Sequence, residues 1–257
     1  SDLALSSATK KQKIAQFLTN TAMCKISEDL IFDEPYFNAP MNRHTAGLDD
    51  IAAAFQNDIA LKSGAQDMKW RFMNHSEAMI HGDLHTGSVM VTDTDTRIID
   101  PEFAFYGPMG FDVGAIVGNL LLATFAQAGH GERKDYAMWI LQQIPILWQS
   151  FVDRFRTLWR TRSGDVYASR VMGSDTTLCD ARLATIWDDA LGFAAAKMIR
   201  RILGLAHVED FESITDEKRR AVCERRALLC AREVMVNRSA YQTTQNLIQA
   251  AEKFSCE

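Results

Sequence analysis

One window of this sequence interrupts an otherwise helical pattern, and it narrows the possible folds more than anything else in the chain. Between Ala78 and Asp100 lie two short β-rich runs, Val89-Met90-Val91 and Arg97-Ile98-Ile99, around the polar Thr92-Asp93-Thr94-Asp95-Thr96. Two short strands flanking such a turn predict a hairpin. On either side, apolar residues recur at helical spacing. Ile14, Phe17, Leu18 and Ala22 predict a helix over 9–24. Asp33-Glu34-Pro35 and Ala39-Pro40 then break the chain. Asp49 or Asp50 caps a helix expected from Ile51 to Leu61 and on towards Met73, across Gly64. After Asp112 the pattern predicts helices over 112–128, 132–160, 181–207, 216–237 and 239–253, with breaks at Gly129-His130-Gly131 and Gly173-Ser174-Asp175. No repeat or long linker divides the chain. The expectation is a single α+β domain over 1–257, mostly α-helical, with one small β-hairpin inserted.

Composition removes several classes. A chain of 257 residues, 47% hydrophobic and 24% charged, is ordinary for a globular protein and too apolar to be disordered throughout. No run of 18 apolar residues suggests a membrane span, and no basic segment leads into an apolar core as in a secretory signal. With 28 basic against 33 acidic residues, no overall positive field attracts nucleic acid. The five cysteines include no C-x-x-C pair, which favours reduced thiols in a cytoplasmic protein over a disulfide scaffold. Cys223 and Cys230 read as buried small apolar residues on one helix face.

The chemistry gathers around the hairpin. His81-Gly82-Asp83-Leu84-His85-Thr86-Gly87-Ser88 precedes it, and Asp100-Pro101-Glu102 and Gly110-Phe111-Asp112 follow it. A carboxylate in a loop before a hairpin, with another directly after an apolar strand, suits phosphoryl transfer. One accepts the proton of an attacking hydroxyl and the other holds Mg²⁺ against nucleotide phosphates. The separation of roughly 17 residues is what a hairpin needs to leave one loop and return its far end beside it. Asp83 is then expected to stay free as a base, with Asp100 committed to the metal.

This segment resembles the catalytic segment of the protein-kinase-like fold. The His81–Ser88 stretch, taken with the run from Asp100 to Asp112, looks like the methylthioribose kinase family. The likeness extends to Ala39-Pro40-Met41-Asn42-Arg43 and to Lys197-Met198-Ile199-Arg200-Arg201-Ile202-Leu203-Gly204. It implies the C-terminal lobe of that fold, ATP- and Mg²⁺-dependent phosphorylation of the 1-hydroxyl of 5-methylthioribose in methionine salvage, and a homodimer. It also implies that Asp83 is the catalytic base touching the sugar hydroxyl. Asp100, Pro101 and Glu102 would lie at the metal and the ATP phosphates, and Arg200 and Arg201 would reach the sugar and the transferring phosphoryl. Ser88 stands where protein kinases place a metal-binding Asn, and Glu102 replaces the Gly of Asp-Phe-Gly. A hydroxyl is the weaker Mg²⁺ ligand and the extra carboxylate compensates, so Ser88, Asp100 and Glu102 form the expected metal set. Asp112 reads as a helix N-cap that also braces the catalytic-loop backbone. His81 and His85 either orient that loop or are buried, satisfied histidines.

Residues 190–207 are apolar nearly all round, as in a buried helix, yet Lys197, Arg200 and Arg201 interrupt them at i, i+3 and i+4. Unpaired charge there is costly, so this basic patch needs an anionic or hydroxylated partner, or acids on a neighbouring helix. Arg219-Arg220 and Arg225-Arg226 read as solvated faces. No Gly-rich strand–turn–strand, strand lysine or P-loop precedes His81. The expectation is therefore a catalytic lobe without its nucleotide lobe, with little kinase activity alone. Three rivals remain: another small-molecule kinase of this fold acting on an aminoglycoside or choline, a metal-dependent hydrolase using His81, Asp83 and His85 as ligands, and a non-catalytic binding lobe.

Overall fold

This computed structural model describes residues 2–17, 20–131, 133–161, 164–165 and 176–256. Leu18, the predicted helix start at 132 and the Gly173-Ser174-Asp175 break lie outside them. The N-terminal segment holds α1 (Ser7–Phe17) and α2 (Thr21–Glu28), then a widened π-helical turn, Asp29–Asp33, and a tighter 3₁₀ turn, Glu34–Tyr36. Next come α3 (Asp49–Asn57) and α4 (Ile59–Asn74). The β residues follow: β1 (Ala78–Ile80), β2 (Val89–Val91), β3 (Thr96–Ile98) and β4 (Phe105–Gly107). The remainder is helical: α5 (Met109–Ala126), α6 (Lys134–Arg160), α7 (Thr177–Leu203), α8 (Glu217–Val236) and α9 (Thr244–Cys256). A one-turn helix, Glu209–Glu212, links α7 to α8.

The hairpin is where the sequence places it. β2 and β3 pair antiparallel, Val89 with Ile98 and Val91 with Thr96. A second pair was not foreseen: β1 and β4 align antiparallel, Ala78 with Gly107 and Ile80 with Phe105. At three residues each, these strands carry too little periodicity to read. Their pairing encloses residues 81–104, so that segment leaves the fold and returns to it at one place.

Two predicted helices are each divided. The 9–24 helix is α1 and α2, and α1 buries no residue, so Ile14 and Phe17 are half-exposed rather than core. The 51–73 helix breaks at Asp58, whose carboxylate caps α4 by accepting from the Leu61 N–H at 3.0 Å. Asp49 and Asp50 instead occupy the first turn of α3, where they face the positive end of the helix dipole. The last helix starts at Thr244, five residues later than expected, and the predicted 181–207 helix begins at Thr177 and stops at Gly204.

The core forms around α5 and α7. Met109–His130 is long and apolar enough to cross a membrane, but 67% of its most apolar 18 residues are buried in the fold, so here it is the central helix. Gly110, Gly114 and Gly118 line the α5 face that meets α7. A Cβ on Gly114 would lie 2.5 Å from the Ala190 carbonyl oxygen, so the two backbones approach more closely than any side chain allows. Phe32, Phe72, Phe105, Phe111 and Phe193 interlock beside this seam, with ring centroids 4.8 to 6.0 Å apart. All five cysteines are free thiols, and Cys223 and Cys230 are buried in α8.

The paired arginines of α8 are not simply solvated. Arg225 grips Asp50 with both terminal nitrogens, at 2.5 and 3.0 Å, and Arg220 reaches Glu212 at 3.4 Å. Arg219 is exposed, as expected.

Candidate functional site

β1 delivers His81, and the turn that follows requires glycine. Gly82 has φ +83°, and a Cβ there would fall 2.2 Å from the Phe103 carbonyl oxygen. Asp112, in the first turn of α5, accepts the backbone N–H of His81 at 2.6 Å and of Gly82 at 3.1 Å. Pro108, not Asp112, occupies the N-cap position. The capping role expected of Asp112 is therefore corrected, and its bracing of the loop backbone stands. Its burial raises the carboxyl above the usual range, against the two N–H donors that favour the charge.

His81 ties the two loops together. Its Nε2 donates to the Ile99 carbonyl at 2.9 Å, while Nδ1 accepts the Asp83 N–H at 3.3 Å. The two bonds are satisfied by one neutral tautomer. Both ring nitrogens are thereby engaged, which weighs against the metal-dependent hydrolase reading of His81, Asp83 and His85. The Ile99 N–H donates to the Ser88 carbonyl at 3.0 Å, and the Ser88 hydroxyl donates to the Asp83 carbonyl at 3.3 Å. Asn119 of α5 accepts from the Thr86 N–H and hydroxyl at 3.3 and 3.1 Å. The loop from His81 to Ser88 is thus held from α5 and from the end of the hairpin.

Asp100 follows Ile99 in the left-handed conformation, φ 66° and ψ 52°, which is costly for a residue with a Cβ. The strain turns the chain so that Pro101 and Glu102 start a short 3₁₀ turn beside Gly82. Asn20, just ahead of α2, donates to the Glu102 and Ala104 carbonyls at 2.9 and 3.0 Å. Asp100, Pro101 and Glu102 are exposed, and their carboxylates carry only oxygen donors, which suits Mg²⁺.

The Asp83 carboxylate is not free. Lys197 of α7, only 3% exposed at its side chain, donates to Asp83 Oδ1 at 2.6 Å and lies 4.9 Å from the Phe111 ring centre. Burial would raise the Asp83 carboxyl, but the Lys197 charge and hydrogen bond outweigh it and hold the carboxyl well below its ordinary value. The Lys197 ammonium is pushed down in turn, by burial and by Arg200 and Arg201, with Asp83 opposing. Expecting Asp83 to stand alone overlooked that a lysine in so apolar a helix needs a carboxylate. The sequence signalled that need but not which carboxylate would meet it. His85 lies 3.7 Å from Asp83 Oδ2, and burial lowers its pKa.

Arg200 and Arg201 occupy the last turn of the same helix. The Nε atoms of both are buried without a hydrogen-bond partner, while Arg201 Nη1 donates to the Ala206 carbonyl at 2.9 Å. Burial, and then the Arg201 charge, push Arg200 down to about 10. Three cations thus gather near one carboxylate. Buried guanidinium N–H groups left without acceptors are expensive, and an anionic group bound there supplies acceptors and charge together.

Residues 11–139 match the model of the phosphotransferase enzyme family. Methylthioribose kinase 1 of Oryza sativa subsp. japonica is 44% identical over 260 residues, 97% of this chain and 60% of the relative. The methylthioribose kinase of Escherichia coli O45:K1 (strain S88 / ExPEC) is 43% identical over 262 residues, 98% of this chain and 62% of the relative. That of Geobacillus sp. (strain WCH70) is 38% identical over 247 residues, 96% and 59%. The chain spans about three-fifths of the length of these curated relatives.

Proposed function

The chain belongs to the phosphotransferase enzyme family, and from that premise we propose that it carries the catalytic loop and acceptor side of a methylthioribose kinase. The reaction is transfer of the ATP γ-phosphoryl to the 1-hydroxyl of 5-methylthioribose. The observation that carries this reading is Asp83 on a braced loop, held at one oxygen by Lys197, with Arg200 and Arg201 one turn further along the same helix. In this reading Asp83 Oδ2, the oxygen Lys197 does not hold, accepts the hydrogen bond of the attacking hydroxyl and then its proton. A carboxyl held so acidic is a weak base, so its main contribution is orientation, with the proton arriving late in a loose transition state. Arg200 and Arg201 bind the sugar and the charge that develops on the transferring phosphoryl.

Asp100 and Glu102 are the proposed Mg²⁺ ligands, with Ser88 offering a lone pair while its proton serves the Asp83 carbonyl. When bound, Mg²⁺ screens the nucleotide phosphates from these carboxylates. The same reading makes 1–257 the helical C-terminal lobe, partnered by a separate nucleotide-binding lobe in a homodimeric enzyme. The rival kinases that take aminoglycosides or choline fit less well, because a cationic acceptor would meet Lys197, Arg200 and Arg201.

The test is turnover by the complete enzyme with 5-methylthioribose, choline and an aminoglycoside, for the parent and for Asp83→Asn. The expectation is turnover of the sugar alone. Asp83→Asn should lower kcat by about 10²- to 10⁴-fold and leave ATP affinity nearly unchanged, since in this reading Asp83 serves the acceptor hydroxyl and Asp100 and Glu102 serve the nucleotide's metal. Comparable kcat in Asp83→Asn removes Asp83 as the base, and preference for choline or the aminoglycoside removes the sugar-kinase reading.

A further inference from the structure

Three side chains that phosphoryl transfer does not use meet beside the start of α5, about two turns along α7 from Lys197. His75 ends α4, Glu77 enters β1 and Asp189 lies in α7, and each brings one potential ligand atom within 4.8 Å of the other two. We propose that His75, Glu77 and Asp189 form a binding site for a divalent transition-metal ion of the zinc or manganese type, separate from the Asp100 and Glu102 site.

The carboxylates are already arranged as ligands. Asp189 is fully buried, and Arg71 Nη1 holds its Oδ1 at 2.5 Å. The remaining oxygen, Oδ2, has no hydrogen-bond partner. A buried carboxylate oxygen without a donor is costly, and a cation removes that cost. Glu77 follows the same pattern: its Oε2 accepts the Met109 N–H at 2.9 Å, which leaves Oε1 for an ion. In each carboxylate one oxygen is fixed by the protein and the other is open, as when outer hydrogen bonds orient metal ligands.

Asp67, Asp188 and Asp189 share Arg71 and Arg238. Lys10, which donates to the Glu77 carbonyl at 2.7 Å, lines the adjoining cavity with Lys13, Arg154 and Arg182, so the open carboxylate oxygens and the imidazole, not net charge, are what favour an ion there.

One imidazole nitrogen with two carboxylate oxygens favours zinc, manganese or cobalt over magnesium or calcium. Three protein ligands also leave one position open. Ligand distances of about 2.0–2.2 Å ask the half-buried His75 and Glu77 to close in by on the order of 1 Å. Both line a cavity of 780 Å³, which gives the ion a way in. Asp189 lies eight residues before Lys197, so the site is about 12 Å along α7 from the catalytic carboxylate. A bound ion would fasten the strand that delivers His81 to the helix that delivers Lys197.

The experiment is calorimetric titration of the complete, chelator-treated protein with ZnCl₂ in the absence of nucleotide, alongside thermal melts. The parent and the Asp100→Asn/Glu102→Gln variant should each bind one equivalent and melt at higher temperature with zinc. His75→Ala and Glu77→Gln should weaken that binding at least tenfold and abolish the rise in Tm. Asp189→Asn also strips Arg71 of a partner, so His75→Ala carries the decision. Far-UV circular dichroism of metal-free His75→Ala checks that it folds. The proposal fails if the parent binds no zinc, if folded His75→Ala binds as the parent does, or if the Asp100/Glu102 variant loses the site.

Discussion

Lys197 is the residue on which the charge of the His81–Ser88 loop depends. It is buried and positively charged, and its contact with Asp83 settles two questions at once: what satisfies a cation in an apolar helix, and what keeps the loop carboxylate ionised. Because Asp83 titrates below its ordinary value, its contribution to stability is complete above pH about 4 and is lost as the pH falls towards 2. The opposite limit belongs to Lys197, whose ammonium burial and the neighbouring arginines depress to about 8. In the complete enzyme, kcat should therefore fall as the pH rises through about 8, when Lys197 loses its proton and Asp83 its partner. Lys197→Arg puts a more basic group in the same place and should move that limb up by more than one pH unit. Lys197→Met should lower kcat at every pH. An identical alkaline limb in the parent and Lys197→Arg would show that Lys197 does not set it.

The seam between α5 and α7 does the equivalent work among the secondary elements. α5 carries Asp112 and Asn119, which brace the loop, and α7 carries Lys197, Arg200 and Arg201, which charge it. Both sets reach one point because Gly110, Gly114 and Gly118 let the helices nearly touch. On an exposed helix, replacing Gly by Ala stabilises. At Gly114 the new methyl meets the Ala190 carbonyl oxygen at 2.5 Å and Phe193 Cβ at 2.9 Å, so the sign should reverse. Gly114→Ala should cost about 1–3 kcal/mol by urea unfolding and lower kcat as Lys197 shifts from Asp83. Unchanged or greater stability would mean that the seam is not tight. That glycine spacing was present in the sequence. Four-residue steps of small side chains mark close helix packing, but nothing in them names the partner helix.

Across the whole molecule, order is unevenly distributed. α5 and α7 supply much of the core, whereas α1 buries nothing and lies against the fold through side chains at its edge. Amide hydrogen exchange should separate the two extremes. The α5 and α7 amides should exchange only at the rate of global opening, and those of α1 orders of magnitude faster. Equal protection of α1 and α5 would contradict this distribution. The β1–β4 pair should fall on the slow side, because Ile80, Phe105 and Tyr106 are buried there.

Much of this was legible in the chain itself. The hairpin, and five C-terminal helices to within a few residues, follow from local patterns. Periodicity and turn chemistry are properties of neighbours in sequence, so a sequence contains them. What the tertiary structure alone decided is pairing over long separations: β1 with β4, Gly114 with Ala190, and Lys197 with Asp83 across 114 residues. A buried charge or a bare glycine states that a partner is required. Which group fills that requirement depends on how the helices stack, and that is fixed only when the whole core closes.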